Sequence, residues 1–125
     1  MSLDAAGLDL QNRMIAQLKL DAQAVIDAAY DNLTRQSLLF MMVAAQAVVP
    51  GSSPVAMTMP NRYAYILPVE QWVQSIMTYV LSVAQTIMQQ TDDTALAALN
   101  ESWTILDTVG PAPAVTLAGA LAITN

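Results

Sequence analysis

The side chains in this chain that could do acid–base or metal chemistry are few, and nearly all are carboxylates. There is no histidine and no cysteine. Histidine general-base catalysis, Ser-His triads, thiolate nucleophiles and the usual zinc and haem ligand sets are therefore out of reach. Two acid pairs remain. Asp92 and Asp93 are adjacent, and Asp27 and Asp31 share one face if their segment is helical. Carboxylates can ligate a hard divalent cation, but di-metal carboxylate bundles use Glu together with Glu-x-x-His. Here the only glutamates are Glu70 and Glu101. Asp92–Asp93 stands just ahead of an Ala/Leu-rich stretch, where an Asp caps a helix. Asp31 stands four residues before Arg35, an i, i+4 pair in the favourable order on a solvated face. Both pairs read as structural. None of the four glycines is followed by lysine, so no phosphate-cradling loop is present. The expectation is a protein that is not an enzyme and carries no metal and no cofactor.

Something must bury the rest. Hydrophobic residues make up 55% of the 125 positions and charged residues only 11%, against about 25% charged in an ordinary soluble domain. Mean hydropathy is +0.44. That composition excludes disorder for most of the chain. A small domain has much surface for its volume, and this one has little charge to cover it. Four basic residues stand against ten acids, giving a net charge of −6. Arg13, Lys19, Arg35 and Arg62 are scattered, so nucleic acid is not expected as a partner. The opening "MSLDAAGLDL" has no basic region and does not read as a secretory signal. The longest apolar run falls well short of the ~20 residues of a spanning helix. A membrane role is less favoured than self-association, and localisation is open.

The elements read as all-α, in one domain covering residues 1–125. Residues 1–49 form a long helix, with Ser2 as its cap and a seam through Leu8, Ile15, Leu18, Ala22, Val25, Ala29 and Leu33. It is either continuous or broken near Asn32 to Gln36. Residues 50–67 form a linker containing Pro50, Pro54 and Pro60, in which "RYAYIL" could be extended. Pro68 then opens a second helix at its first position. Val73, Ile76, Val80, Val83 and Ile87 step as a heptad seam. From Gln71 to Thr91 there is no charged residue, and the polar side is Gln, Ser and Thr. Such a face costs less to bury against another subunit than one carrying Lys and Glu. A third helix runs through Leu96, Leu99, Trp103 and Leu106 to a Gly110 cap, and the tail from Ala114 is apolar and rich in small residues.

"TILDTVGPAPAVTLAGALAITN" resembles a motif of the R-body (killing-trait) proteins: a Thr-rich helix end, then Gly-x-Ala-Pro-small, then an Ala-rich helix. The matching residues are Gly110, Ala112, Pro113 and Ala114, within residues 104–124. The resemblance implies a small, low-charge helical protein that polymerises into coiled ribbons, which extend on acidification.

Independently of that resemblance, the composition points to a self-assembling structural protein: a homo-oligomer, filament, ribbon or virion-type subunit whose partner is itself. The expected assembly surface comprises Leu38, Leu39, Phe40, Met41, Met42 and Val43 in the uncharged run Ser37–Val49. It further comprises Gln74, Thr78 and Gln85 on the second helix, and Ala114, Ala118 and Ala122, whose spacing would line one face of a terminal helix. The rival readings are a membrane-active protein that inserts its apolar segments, and a carrier with a methionine-lined pocket built from some of the eight Met.

Overall fold

A computed structural model describes residues 3–46 and 58–125. The fold is all-α, with no strand among the described residues. The helices are α1 (Ala5–Ala29), α2 (Asn32–Ala45), α3 (Pro60–Met88), α4 (Asp93–Leu99), α5 (Ile105–Val109) and α6 (Leu117–Ala122).

Ser2 lies outside the described residues, and Asp4 serves as a cap of α1: its carboxylate accepts the Gly7 N–H at 2.7 Å. The buried stripe of α1 is Gly7, Gln11, Met14, Leu18, Ala22 and Ile26. Leu18 and Ala22 are where the periodicity puts them. Leu8, at 50% exposure, and Leu33, at 75%, are not in the core. Tyr30 and Asp31 interrupt the helix just before the expected break. Asp31 has an extended backbone, and its side chain accepts the Thr34 N–H at 2.7 Å. The carboxylate expected to pair with Arg35 is thus the N-cap of α2, which satisfies an otherwise orphaned helix donor.

The helix start also lies elsewhere than the prolines suggest. α3 begins at Pro60, and Pro68 lies inside it. "RYAYIL" is helical and the linker is correspondingly shorter. Pro60, not Pro68, takes the first helical position, where its missing N–H costs nothing. An interior proline costs about 3 kcal/mol. Ile66, Val69, Trp72 and Val73 on either side of Pro68 are all buried, at about 1.5–3 kcal/mol each, so packing outweighs the lost bond. Ala64, whose carbonyl loses its donor, is exposed to water.

The third expected helix is two. α4 starts where Asp92 caps it, accepting the Ala95 N–H at 3.2 Å. It ends in a turn closed by Ser102, whose N–H and Oγ both donate to the Leu99 carbonyl. Glu101 there has φ 58°, a left-handed conformation costing about 1–2 kcal/mol for a residue with a Cβ. Gly110 ends α5 with φ 91°, which glycine adopts without that cost, and its N–H donates to the Leu106 carbonyl.

The chain divides into two compact units, Met1–Ile26 with Gln74–Pro111, and Asp27–Val73 with Ala112–Asn125. The first unit has a core of Met14, Leu18, Ala22, Ile26, Ile76, Val80, Ile87, Leu96 and Ile105. Gln11 is buried in it, and its amide donates to the Ile87 carbonyl at 3.1 Å, which removes the penalty of an unpaired polar group. The Trp103 indole N–H donates to Asp21 at 2.8 Å, and the Tyr79 hydroxyl accepts the Thr104 N–H at 2.8 Å. These two bonds hold the α4–α5 turn against the long helices and explain why the helix stops there.

The second unit has a core of Tyr30, Leu38, Ala45, Ile66, Val69, Trp72, Val73, Val115 and Ala120. Tyr30 and Trp72 meet edge to face, with centroids 6.0 Å apart. Six residues cannot sustain a helix alone, so α6 depends on what holds it. The Tyr30 hydroxyl donates to the Pro113 carbonyl, and the Tyr65 hydroxyl accepts the Thr116 N–H at 3.2 Å. Gly119 passes so close to the Tyr65 hydroxyl that a Cβ there would collide with it. The Arg62 side chain donates to the Ile123 carbonyl at 2.7 Å and to Leu121 at 3.3 Å, placing a cation at the negative end of α6.

Candidate assembly surface

The carboxylates are the side chains the sequence offers for chemistry. Asp92 and Asp31 are occupied as caps. Asp93 lies beside Asp4, and its pKa is raised by desolvation and then by the Asp4 carboxyl, with Asp92 adding to the effect. Sequence distance hid this pairing of two helix starts. Among the described residues no group of three or more carboxylates is placed to hold a metal ion. An open groove of about 430 Å³ includes Asp21, Glu101 and Asp107, but Asp21 is already committed to Trp103 and to Gln17. The methionines are dispersed. Met14 is in the core, Met41 and Met42 are half-buried, and Met77 and Met88 are exposed at 51% and 59%. Met57 lies outside the described residues.

The exposed apolar side chains are more ordered than the acids. In the second unit α2 packs directly on α6. The two form an open groove of about 390 Å³ between Leu33, Gln36, Ser37, Phe40 and Met41 on one side and Leu117 and Leu121 on the other. Leu33 and Phe40 are each 75% exposed and Leu121 56%. No lining residue is charged. The described part of the uncharged run, residues 37–46, is thus apolar on two sides for two reasons. Leu38 and Ala45 face the unit's own core, and Phe40 and Val43 face outward. Leu38 is consequently a core residue, not part of an available surface, because none of it is left to touch another subunit. Leu39 remains partly exposed. Residues 47–49 lie outside the described residues.

In the first unit the uncharged face of α3 is also open. Gln74, Thr78 and Gln85 are exposed as expected. Interleaved with them are Met77, Leu81 and Met88, between 51% and 59% exposed. The sequence reading places an inner seam on this helix and gives Leu81 no place in it. The signal was present: Gln74, Met77, Leu81 and Met88 follow a second heptad phase, displaced around the helix from Ile76, Val80 and Ile87.

The tail departs from expectation. Ala114 precedes α6, so only Ala118 and Ala122 share its face, and all three are exposed. Ala120 is the residue packed without side-chain bulk. The Gly110 to Ala114 stretch does separate two helices, with α6 capped by the Thr116 hydroxyl on the Gly119 N–H at 2.9 Å. No described helix is long and apolar enough to cross a membrane.

The folded chain therefore presents a groove and a ridge, each uncharged and bearing exposed apolar side chains, and no assembled catalytic constellation among its described residues. No protein-family model matches the chain, no curated protein matches it, and no solved structure matches it.

Proposed function

We propose that this protein is the subunit of a self-assembling structural homo-oligomer, of the filament, ribbon or virion type. The observation that carries the reading is the pair of uncharged apolar strips left open on a folded chain: Leu33, Phe40 and Leu121 in one unit, Met77, Leu81 and Met88 in the other. A soluble monomer rarely leaves contiguous apolar patches beyond a few hundred Å². Interface cores are depleted in charge and enriched in Phe and Met, as these strips are. With a net charge of −6, copies repel one another except where uncharged surfaces meet. The resemblance of residues 104–124 to R-body proteins points the same way, towards a polymerising helical subunit.

Light scattering at high micromolar concentration and negative-stain microscopy test the proposal. The expected result is a particle of regular dimensions and many times the mass of one chain. A well-behaved monomer under those conditions would overturn it. Flotation of the protein with liposomes in place of self-association would favour membrane insertion instead.

A further inference from the structure

We infer that the subunits join head to tail, the α3 ridge of one copy seating in the α2–α6 groove of the next. This rests on the assembly reading and goes beyond it by naming which surface meets which. The occupant of the groove is a second copy of this chain, for three reasons. The first is charge: a groove with no ion in its lining accepts only a surface that brings none to desolvate, and the α3 strip from Gln71 to Thr91 is such a surface on the same chain.

The second is shape and pitch. Met77, Leu81 and Met88 stand out from a single helix, while Leu33 and Phe40 wall a trough between two helices. Leu81 to Met88 and Leu33 to Phe40 are the same heptad step, about 10 Å along a helix, so successive ridge side chains fall into successive gaps of the wall. A groove laid on its own copy would put hollow against hollow, which close packing forbids.

The third is exposure. Leu33 and Phe40 are each 75% exposed and Leu121 56%, so the groove leaves large apolar side chains that a second copy would cover. An interface between two different patches leaves one of each free on the terminal copies, so it propagates.

Two variants carrying the same sign of charge test this. Leu81→Asp blocks the ridge and leaves the groove intact, and Phe40→Asp does the converse. Both residues are more than half exposed, so circular dichroism should match the wild type; Met77→Asp and Leu121→Asp are the reserve pair if either variant misfolds. Each variant alone should be monomeric by light scattering. Mixed in equal amounts they should form a one-to-one heterodimer through the two surviving surfaces, which goes no further. If the wild type assembles but the mixture stays monomeric, the head-to-tail geometry is wrong and the assembly reading survives. If Leu81→Asp still oligomerises while Phe40→Asp does not, the groove pairs with itself and the inference is overturned. A monomeric wild type removes both.

Discussion

Within the first unit, α1 and the second half of α3 make a controlled comparison. Each places a stripe of Met, Leu, Ile or Val in the same core. Their outer faces differ in charge, although α1 also leaves Leu8 and Leu20 50% and 64% exposed. On α1 the exposed side carries Asp9 paired with Arg13 at 2.9 Å, Lys19, and Gln17 donating to Asp21 at 2.7 Å. On α3 it carries Gln74, Met77, Thr78, Leu81, Gln85 and Met88. The inner stripes explain folding and are interchangeable in kind. The outer faces differ in what it would cost to cover them. Stripping water from an ion costs several kcal/mol, so a face with ion pairs is suited to staying wet, whereas amides, hydroxyls and thioethers can be covered by another chain.

Four measurements test that contrast. The largest effect should come from the inner seam. Ile76 is fully buried, and Ile76→Ala should cost about 2–5 kcal/mol in a denaturant melt, through lost transfer energy and a cavity. On the outer face the double change Gln74→Lys with Gln85→Lys should leave the melt within about 0.5 kcal/mol of wild type, yet dissociate the particle seen by light scattering. If it unfolds the chain instead, the outer face of α3 is structural and the contrast fails.

The equivalent change on α1 should do neither. Asp9 and Arg13 are each 69% exposed, and a double-mutant cycle of Asp9→Ala with Arg13→Ala should return a coupling of about 0.3–0.5 kcal/mol, with particle mass unchanged. Loss of the particle there would mean that the charged face also docks.

The smallest effects belong to acidification, where two carboxylates act in opposite directions. Asp93 has its pKa raised by desolvation and by Asp4. Its contribution to stability is present below the unfolded value and lost as pH rises through the folded one. Asp93→Asn should therefore melt higher than wild type at neutral pH and converge with it in acid. Asp31 has its pKa lowered by the Thr34 N–H and hydroxyl. Its contribution is present above the unfolded value and is lost as pH falls through the folded one. Asp31→Asn, which keeps a capping side chain, should melt slightly lower at neutral pH and converge only in stronger acid. Melting temperatures across a pH series for the three proteins check both signs.

Much of this protein was decided locally and is legible in its residue order. The all-α class follows from long runs free of proline, with apolar residues at helical steps and no segment but "RYAYIL" that reads as extended. The inner seam at Val73, Ile76, Val80 and Ile87 is buried where its heptads put it, while Val83 is only half-buried. Asp92 caps α4 and Gly110 ends α5 with a positive φ, since capping needs only a side chain a few residues from its donor. The absence of charge on the α3 face is a property of composition alone. Other features required the tertiary structure, because they depend on partners distant in sequence. Pro68 sits inside a helix since the residues around it are buried deeply enough to outweigh a missing bond. The segment from Leu96 to Leu106 breaks because Asp21 and Tyr79 hold the Trp103–Thr104 turn, a constraint periodicity does not encode. α6 is retained by Arg62 and Tyr65, although its own length is too short to hold it. Which side of an all-apolar helix turns outward was likewise settled by packing. Leu38 and Phe40 are equivalent in local hydropathy, and only the arrangement of the neighbouring helices puts one in the core and leaves the other in the groove.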